Sequence, residues 1–85
     1  MNKRVAITVT YNRTSTLFKC LNALIGQTVP LYRILVVDNN SKMSEKILLR
    51  QFIEQNSCID VLWLSENTGG AGGFEAGMKA ARGLL

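Results

Sequence analysis

Histidine is absent from all 85 residues of this chain. That absence excludes a Ser-His-Asp triad, a Cys-His pair and every histidine-ligated metal site. Acid–base chemistry is left to six carboxylates, two tyrosines, two cysteines and the lysines. Cysteine is scarce too. Cys20 and Cys58 lie far apart with no CxxC spacing, so they read as buried free thiols in a reducing compartment, not as a disulfide or a zinc pair. There is no run of lysines and arginines and no basic stripe interleaved with aromatics, so a nucleic-acid partner is not expected. The net charge of +4 is a mild positive balance that suits a solvated surface or a phosphate-bearing ligand. No apolar stretch reaches the length of a signal peptide or membrane span, because the residues after Met1-Asn2-Lys3-Arg4 form only a short apolar run. A cytoplasmic location is therefore expected, for the chain itself or for a larger protein that contains it.

What is present suits a small folded unit. Hydrophobic residues make up 47% and charged residues 19%, which excludes disorder and low-complexity tracts. At 9.4 kDa the chain is one small domain or part of a larger one, with little room for a deep cavity. Arg4 to Thr10 is apolar and β-branched, as in a strand buried on both faces. Tyr11 to Thr14 breaks it. Thr14 or Ser15 can then cap a helix that carries Leu17, Phe18, Leu21, Leu24 and Ile25 and stops at Gly26. A turn follows at Gln27 to Pro30. Arg33 to Asp38 is a second strand, and Asn39 to Lys42 a loop. Ser44 can cap a second helix with a stripe of Ile47, Leu48, Gln51, Phe52 and Gln55. Asp60 to Leu64 is a third strand, within which Trp63 reads as core. Glu66 to Gly73 reads as a loop, and Phe74 to Arg82 as a third helix with Phe74, Met78 and Ala81 on one face.

Strands and helices alternate, so the expected fold class is α/β, a three-layer α/β/α arrangement on a parallel sheet with right-handed crossovers. Open sheets of this kind bind ligands beyond the carboxyl ends of their strands. Three polar segments should therefore meet on one rim: Tyr11 to Thr14, Asp38 to Lys42, and Asn67 to Gly73. The glycine-rich segment precedes a helix, so its amides could face an anion. It is neither a Walker A loop nor a GxGxxG match, and glycines also let backbone pass close to a neighbour. Asp38 could accept hydrogen bonds from a ribose or a base, or hold its own loop together. Asn39, Asn40 and Ser41 have a ligand reading and a turn reading. Arg13 could meet a phosphate or stack on a base, or be a solvated arginine at a helix start. Tyr11 could flank a base or cover the sheet end.

Four motifs occur in order. They are Thr10-Tyr11-Asn12-Arg13; Leu21 to Leu24 with Gln27-Thr28; Val36-Val37-Asp38-Asn39-Asn40-Ser41; and Glu66-Asn67-Thr68-Gly69-Gly70-Ala71-Gly72-Gly73-Phe74 with Gly77. Together they resemble the N-terminal, Rossmann-like nucleotide-binding part of a family 2 glycosyltransferase of the GT-A fold, in its rhamnosyltransferase and galactofuranosyltransferase branch. The resemblance covers essentially all of residues 1–85. It implies a UDP- or dTDP-sugar donor on the rim and a saccharide or lipid-linked acceptor, in polysaccharide or glycolipid synthesis. By the same resemblance Thr10 and Tyr11 contact the base and Arg13 lies near the nucleotide. Asp38 and Asn39 match an acidic pair that binds base or ribose, with Asn at the second position here. Asn67, Gly69, Gly70, Gly72 and Gly73 match the segment beside uridine and diphosphate.

In that family an Asp-rich motif after the next strand binds Mg²⁺ or Mn²⁺, and a further acid activates the acceptor. The sequence stops at Leu85, before either. The expectation is a chain that binds no metal alone, has no catalytic residue of its own and is inactive in isolation, whereas the full-length enzyme would use the cation and could associate with a membrane. A non-catalytic nucleotide-binding or interaction module is the alternative, and a flavodoxin- or Rossmann-like dinucleotide binder is a third reading. The first strand would stand at the sheet edge, which invites self-association through Val5, Ile7 and Val9.

Overall fold

The computed structural model describes residues 4–27 and 32–84. Thr28, Val29 and Pro30 of the expected turn lie outside the described residues. The elements run β1 (Val5–Thr10), α1 (Thr14–Ile25), β2 (Arg33–Asp38), α2 (Met43–Glu54), β3 (Ile59–Trp63) and α3 (Gly69–Leu84). The strands form one parallel sheet in the order β1-β2-β3. The α/β class and parallel sheet expected from the alternation are what the chain adopts.

Side chains alternate across the sheet as a period of two requires. Ile34 and Val36 of β2 face one side, where they join Leu17 and Leu21 of α1, Leu49 of α2 and Ile59 of β3. Leu21 and Leu49 are fully buried, each contributing roughly 1.5–3 kcal/mol of transfer free energy. Phe18 and Phe52 stack with ring centroids 4.6 Å apart and join α1 to α2. Val37 faces the other side, against α3. The molecule therefore has three layers, with α1 and α2 on one face of the sheet and α3 on the other. At the amino end of the sheet, Arg33 donates two 2.7 Å hydrogen bonds to Asp60 across β2 and β3. The carboxylate holds the guanidinium above its ordinary pKa, through those bonds first.

Several local expectations are corrected. β1 is half-buried along most of its length, not buried on both faces, because it pairs only with β2. Cys20 is exposed, not buried. Neither Thr14 nor Ser15 caps α1; Arg13 stands at that position without a side-chain bond. The Thr14 hydroxyl instead donates to Glu45 Oε2 at 2.6 Å. Lys42, not Ser44, precedes α2. In α2 Leu49 is buried and Phe52 and Ile53 pack against the core, while Ile47 and Leu48 are exposed. Trp63 packs against the core but is only half-buried, with the Arg50 guanidinium 5.1 Å from its ring centroid.

The largest departure concerns α3. Residues 70–73 are helical, not loop, and the helix begins at Gly69. Its buried face is Gly73, Gly77 and Ala81, whereas Phe74 and Met78 are 47% and 45% exposed. The cause is close approach to the sheet. A Cβ on Gly77 would lie 2.8 Å from both Ile7 Cγ2 and Val37 Cγ2, and one on Gly73 would lie 2.9 Å from Val9 Cγ1. The poor intrinsic helix propensity of glycine is overridden by tertiary packing that only glycine permits.

Candidate functional site

The carboxyl ends of the three strands meet as the topology requires, and hydrogen bonds lace the three connections together. The segment after β2 is the central tie. On one side, the Asn12 N–H donates to Ser41 Oγ at 2.8 Å and the Lys42 N–H donates to Asn12 Oδ1 at 2.8 Å. On the other side, Asn39 Oδ1 accepts from the Thr68 N–H at 2.9 Å and from the Thr68 hydroxyl at 3.2 Å, and Asn39 Nδ2 donates to the Gly69 carbonyl at 2.9 Å. Asn12 and Asn40 hold φ of 53° and 64°, a left-handed conformation that asparagine tolerates better than most residues. The asparagine-rich loops are thus built for tight turns. Asn12, Thr14 and Thr68 lie in segments expected on the rim but were given no individual role in the site by sequence reasoning, and Glu45 was missed. The usable signal was the density of asparagines after β1 and β2.

Between these connections lies an open cleft of about 480 Å³, lined by Val9, Thr10, Tyr11, Arg13, Asn39, Asn67, Gly69 and Gly70. Seven of the ten expected site residues are brought together there: Thr10, Tyr11, Arg13, Asn39, Asn67, Gly69 and Gly70. Tyr11 and Arg13 are exposed on one wall. On the other wall α3 begins, and Asn67 Oδ1 accepts from the Gly69 N–H at 2.8 Å. Gly69 needs its left-handed φ of 76° to enter the helix. The first turns of α3 carry no charged side chain before Glu75, so the dipole of the helix faces the cleft without competition from its own acids.

The other three expected residues do not line the cleft. Asp38 is 1% exposed, and its Oδ2 accepts from the Ser41 N–H at 3.1 Å; it holds its own loop. Gly72 sits over Thr68, where a Cβ would be 2.9 Å from Thr68 Cβ, and Gly73 faces Val9. Both serve packing. Thr10 presents a different situation. It is 5% exposed, lines the cleft, and its hydroxyl has no hydrogen-bond partner among the described residues. An unpartnered buried hydroxyl costs about 1–3 kcal/mol, and a ligand group could satisfy it.

A second hollow of about 300 Å³ shares the wall from Val9 to Arg13 and continues along Thr16, Leu17 and Cys20 of α1. Among the described residues no three of His, Cys, Asp and Glu gather where they could hold a metal ion. The residues present therefore do not fit the Mg²⁺ or Mn²⁺ that the resemblance implies. No helix among the described residues is long and apolar enough to cross a membrane.

The family model described as Glycosyl transferase family 2 matches residues 5–84. A curated relative, the "Glycosyltransferase AglE" of Haloferax volcanii, is 34% identical over 77 residues, covering 88% of this chain and 25% of the relative. The chain thus spans about a quarter of that protein's length.

Proposed function

The chain belongs to glycosyl transferase family 2, and from that premise we propose that its cleft binds the nucleotide part of a sugar donor. The observation that carries this reading is the convergence of Thr10, Tyr11, Arg13, Asn67, Gly69 and Gly70 on one open cleft at the carboxyl edge of the sheet. Each wall suits one part of a nucleoside diphosphate. Tyr11 offers an exposed ring against which a base can lie. The Thr10 hydroxyl, buried and without a partner among the described residues, has one hydrogen to donate and lone pairs with which to accept. Arg13 supplies a guanidinium with no ion pair among the described residues, and the start of α3 supplies oriented amides; both favour phosphate.

The donor is a UDP- or dTDP-sugar and the acceptor a saccharide or lipid-linked hydroxyl, as the family and the rhamnosyl- and galactofuranosyltransferase-like motifs suggest. The relative's name, a glycosyltransferase, supports the same reaction class. The chain's own residues bind and orient the nucleotide. Among the described residues no set of acids fits a divalent ion. The isolated 85-residue chain is accordingly proposed to bind nucleotide without transferring sugar, and to self-associate along β1.

Calorimetric titration with UDP, dTDP and NAD tests the reading. Saturable binding of UDP or dTDP but not NAD is expected. Arg13→Ala should weaken it about tenfold, the scale of a lost hydrogen bond to a charged group. Binding of NAD, or of none of the three, contradicts it.

A further inference from the structure

Asn39 is bonded to both walls of the cleft. Its backbone N–H donates to the Thr10 carbonyl at 2.9 Å, which ties it to the wall that carries Tyr11 and Arg13. Its carboxamide reaches the opposite wall, with Oδ1 accepting from the Thr68 N–H and hydroxyl, and Nδ2 donating to the Gly69 carbonyl at 2.9 Å. The residue is 3% exposed. Behind it α3 is close, since a Cβ on Gly73 would stand 3.4 Å from Nδ2.

This pattern demands one donor and one acceptor at the tip of a short side chain. Asparagine has both. A carboxylate has two acceptors. It would keep the bonds from Thr68 but turn an oxygen toward the Gly69 carbonyl, where two acceptors repel. Protonated, it would again carry one donor and one acceptor.

We propose that Asn39 is a positioning residue whose carboxamide sets the distance between the two walls, holding the first turn of α3 opposite Thr10 and Arg13 so that a nucleoside diphosphate spans them. This rests on the nucleotide reading of the cleft. It assigns Asn39 to the frame of the site and not to contact with base or ribose, the role that the family resemblance implies for it.

The test uses the full chain with Asn39→Asp and Asn39→Ala, titrated with UDP and dTDP from about pH 7.5 down to about pH 5, each compared with the parent chain at the same pH. The charged and titratable neighbours are Asp38 beside it on β2, Tyr11 and Arg13 across the cleft, and Glu66 ahead of α3. The carboxyl introduced by Asn39→Asp sits in a buried place facing a carbonyl, which favours its neutral form. The expected result for Asn39→Asp is about tenfold weaker binding at the upper pH, shrinking toward parity on acidification as the neutral acid regains the donor. Asn39→Ala should bind weakly at every pH, and its Thr68 amide should exchange faster with solvent. Nucleotide affinity of Asn39→Asp equal to or above the parent's at the upper pH overturns the proposal, because direct contact as an acceptor would give that result. If the parent binds neither diphosphate, the nucleotide reading fails by itself. The Thr68 exchange in Asn39→Ala still decides the positioning role, and unchanged protection overturns it.

Discussion

Replacing Gly77 with alanine should force α3 away from the sheet. The added Cβ would stand 2.8 Å from Ile7 Cγ2 and 2.8 Å from Val37 Cγ2, where ordinary contacts lie at 3.4–4 Å. Neither neighbour can swing aside cheaply. Both are β-branched and stiff at χ1, and Val37 is fully buried between the sheet neighbours and α3. The helix or the strand must therefore move by several tenths of an ångström along the contact. Overpacking of this kind costs about 1–3 kcal/mol. Alanine recovers up to about 1 kcal/mol of helix propensity relative to glycine. The net expectation, about 1–3 kcal/mol less about 1 kcal/mol, is a loss of roughly 0–2 kcal/mol. For a domain of this size the melting temperature should fall by up to about 15 °C. Gly70→Ala is the internal control, because a Cβ there meets nothing within 4 Å and should stabilise by about 0.5–1 kcal/mol. Urea and thermal unfolding followed by circular dichroism measure both. If Gly77→Ala proves as stable as Gly70→Ala, the close packing of α3 is wrong, and with it the explanation of the glycine-rich segment.

Three further outcomes follow from particular contacts. Thr10→Val removes the unpartnered hydroxyl and should raise the stability of the ligand-free chain by about 1 kcal/mol, while weakening UDP or dTDP binding severalfold; a change of both quantities in the same direction would refute the role given to that hydroxyl. Leu49→Ala, at a fully buried position under β2 and β3, should cost about 2–5 kcal/mol in urea denaturation, whereas Ile47→Ala on the exposed side of α2 should cost little. Light scattering at high concentration should find a dimer built on the β1 edge, and a monomer would count against that edge as an interface.

Much of the frame was legible from residue pattern. Continuous β-branched runs ending in polar residues gave the strands, their alternation with helices gave the parallel sheet, and the carboxyl-edge rule gathered Tyr11, Arg13, Asn39, Asn67 and Gly69. What stayed hidden depends on distance across the sheet. Glycines at residues 69–73 look like a loop in one dimension. Only the 2.8–2.9 Å approaches at Gly73 and Gly77 show that the segment is a helix packed where no side chain fits. The same blindness placed Phe74 and Met78 inside, because helical spacing marks an apolar face without saying whether a glycine face is the buried one. Asp38 and Asn39 were read together as ligand-binding residues. In the fold Asp38 accepts from Ser41 in its own loop, while the side-chain partners of Asn39 are 29 or 30 residues away and leave no trace in local sequence.

The central claim is that a nucleotide occupies the cleft between the β1–α1 connection and the start of α3. Amide chemical shifts of the chain, followed by NMR during titration with UDP and with dTDP, test it most directly. The account predicts that at least one of the two shifts Thr10, Tyr11, Arg13, Gly69 and Gly70 in a saturable manner, with the α1–α2 face around Phe18 and Phe52 unmoved. Saturable shifts confined to that α1–α2 face, or none with either nucleotide, would contradict it.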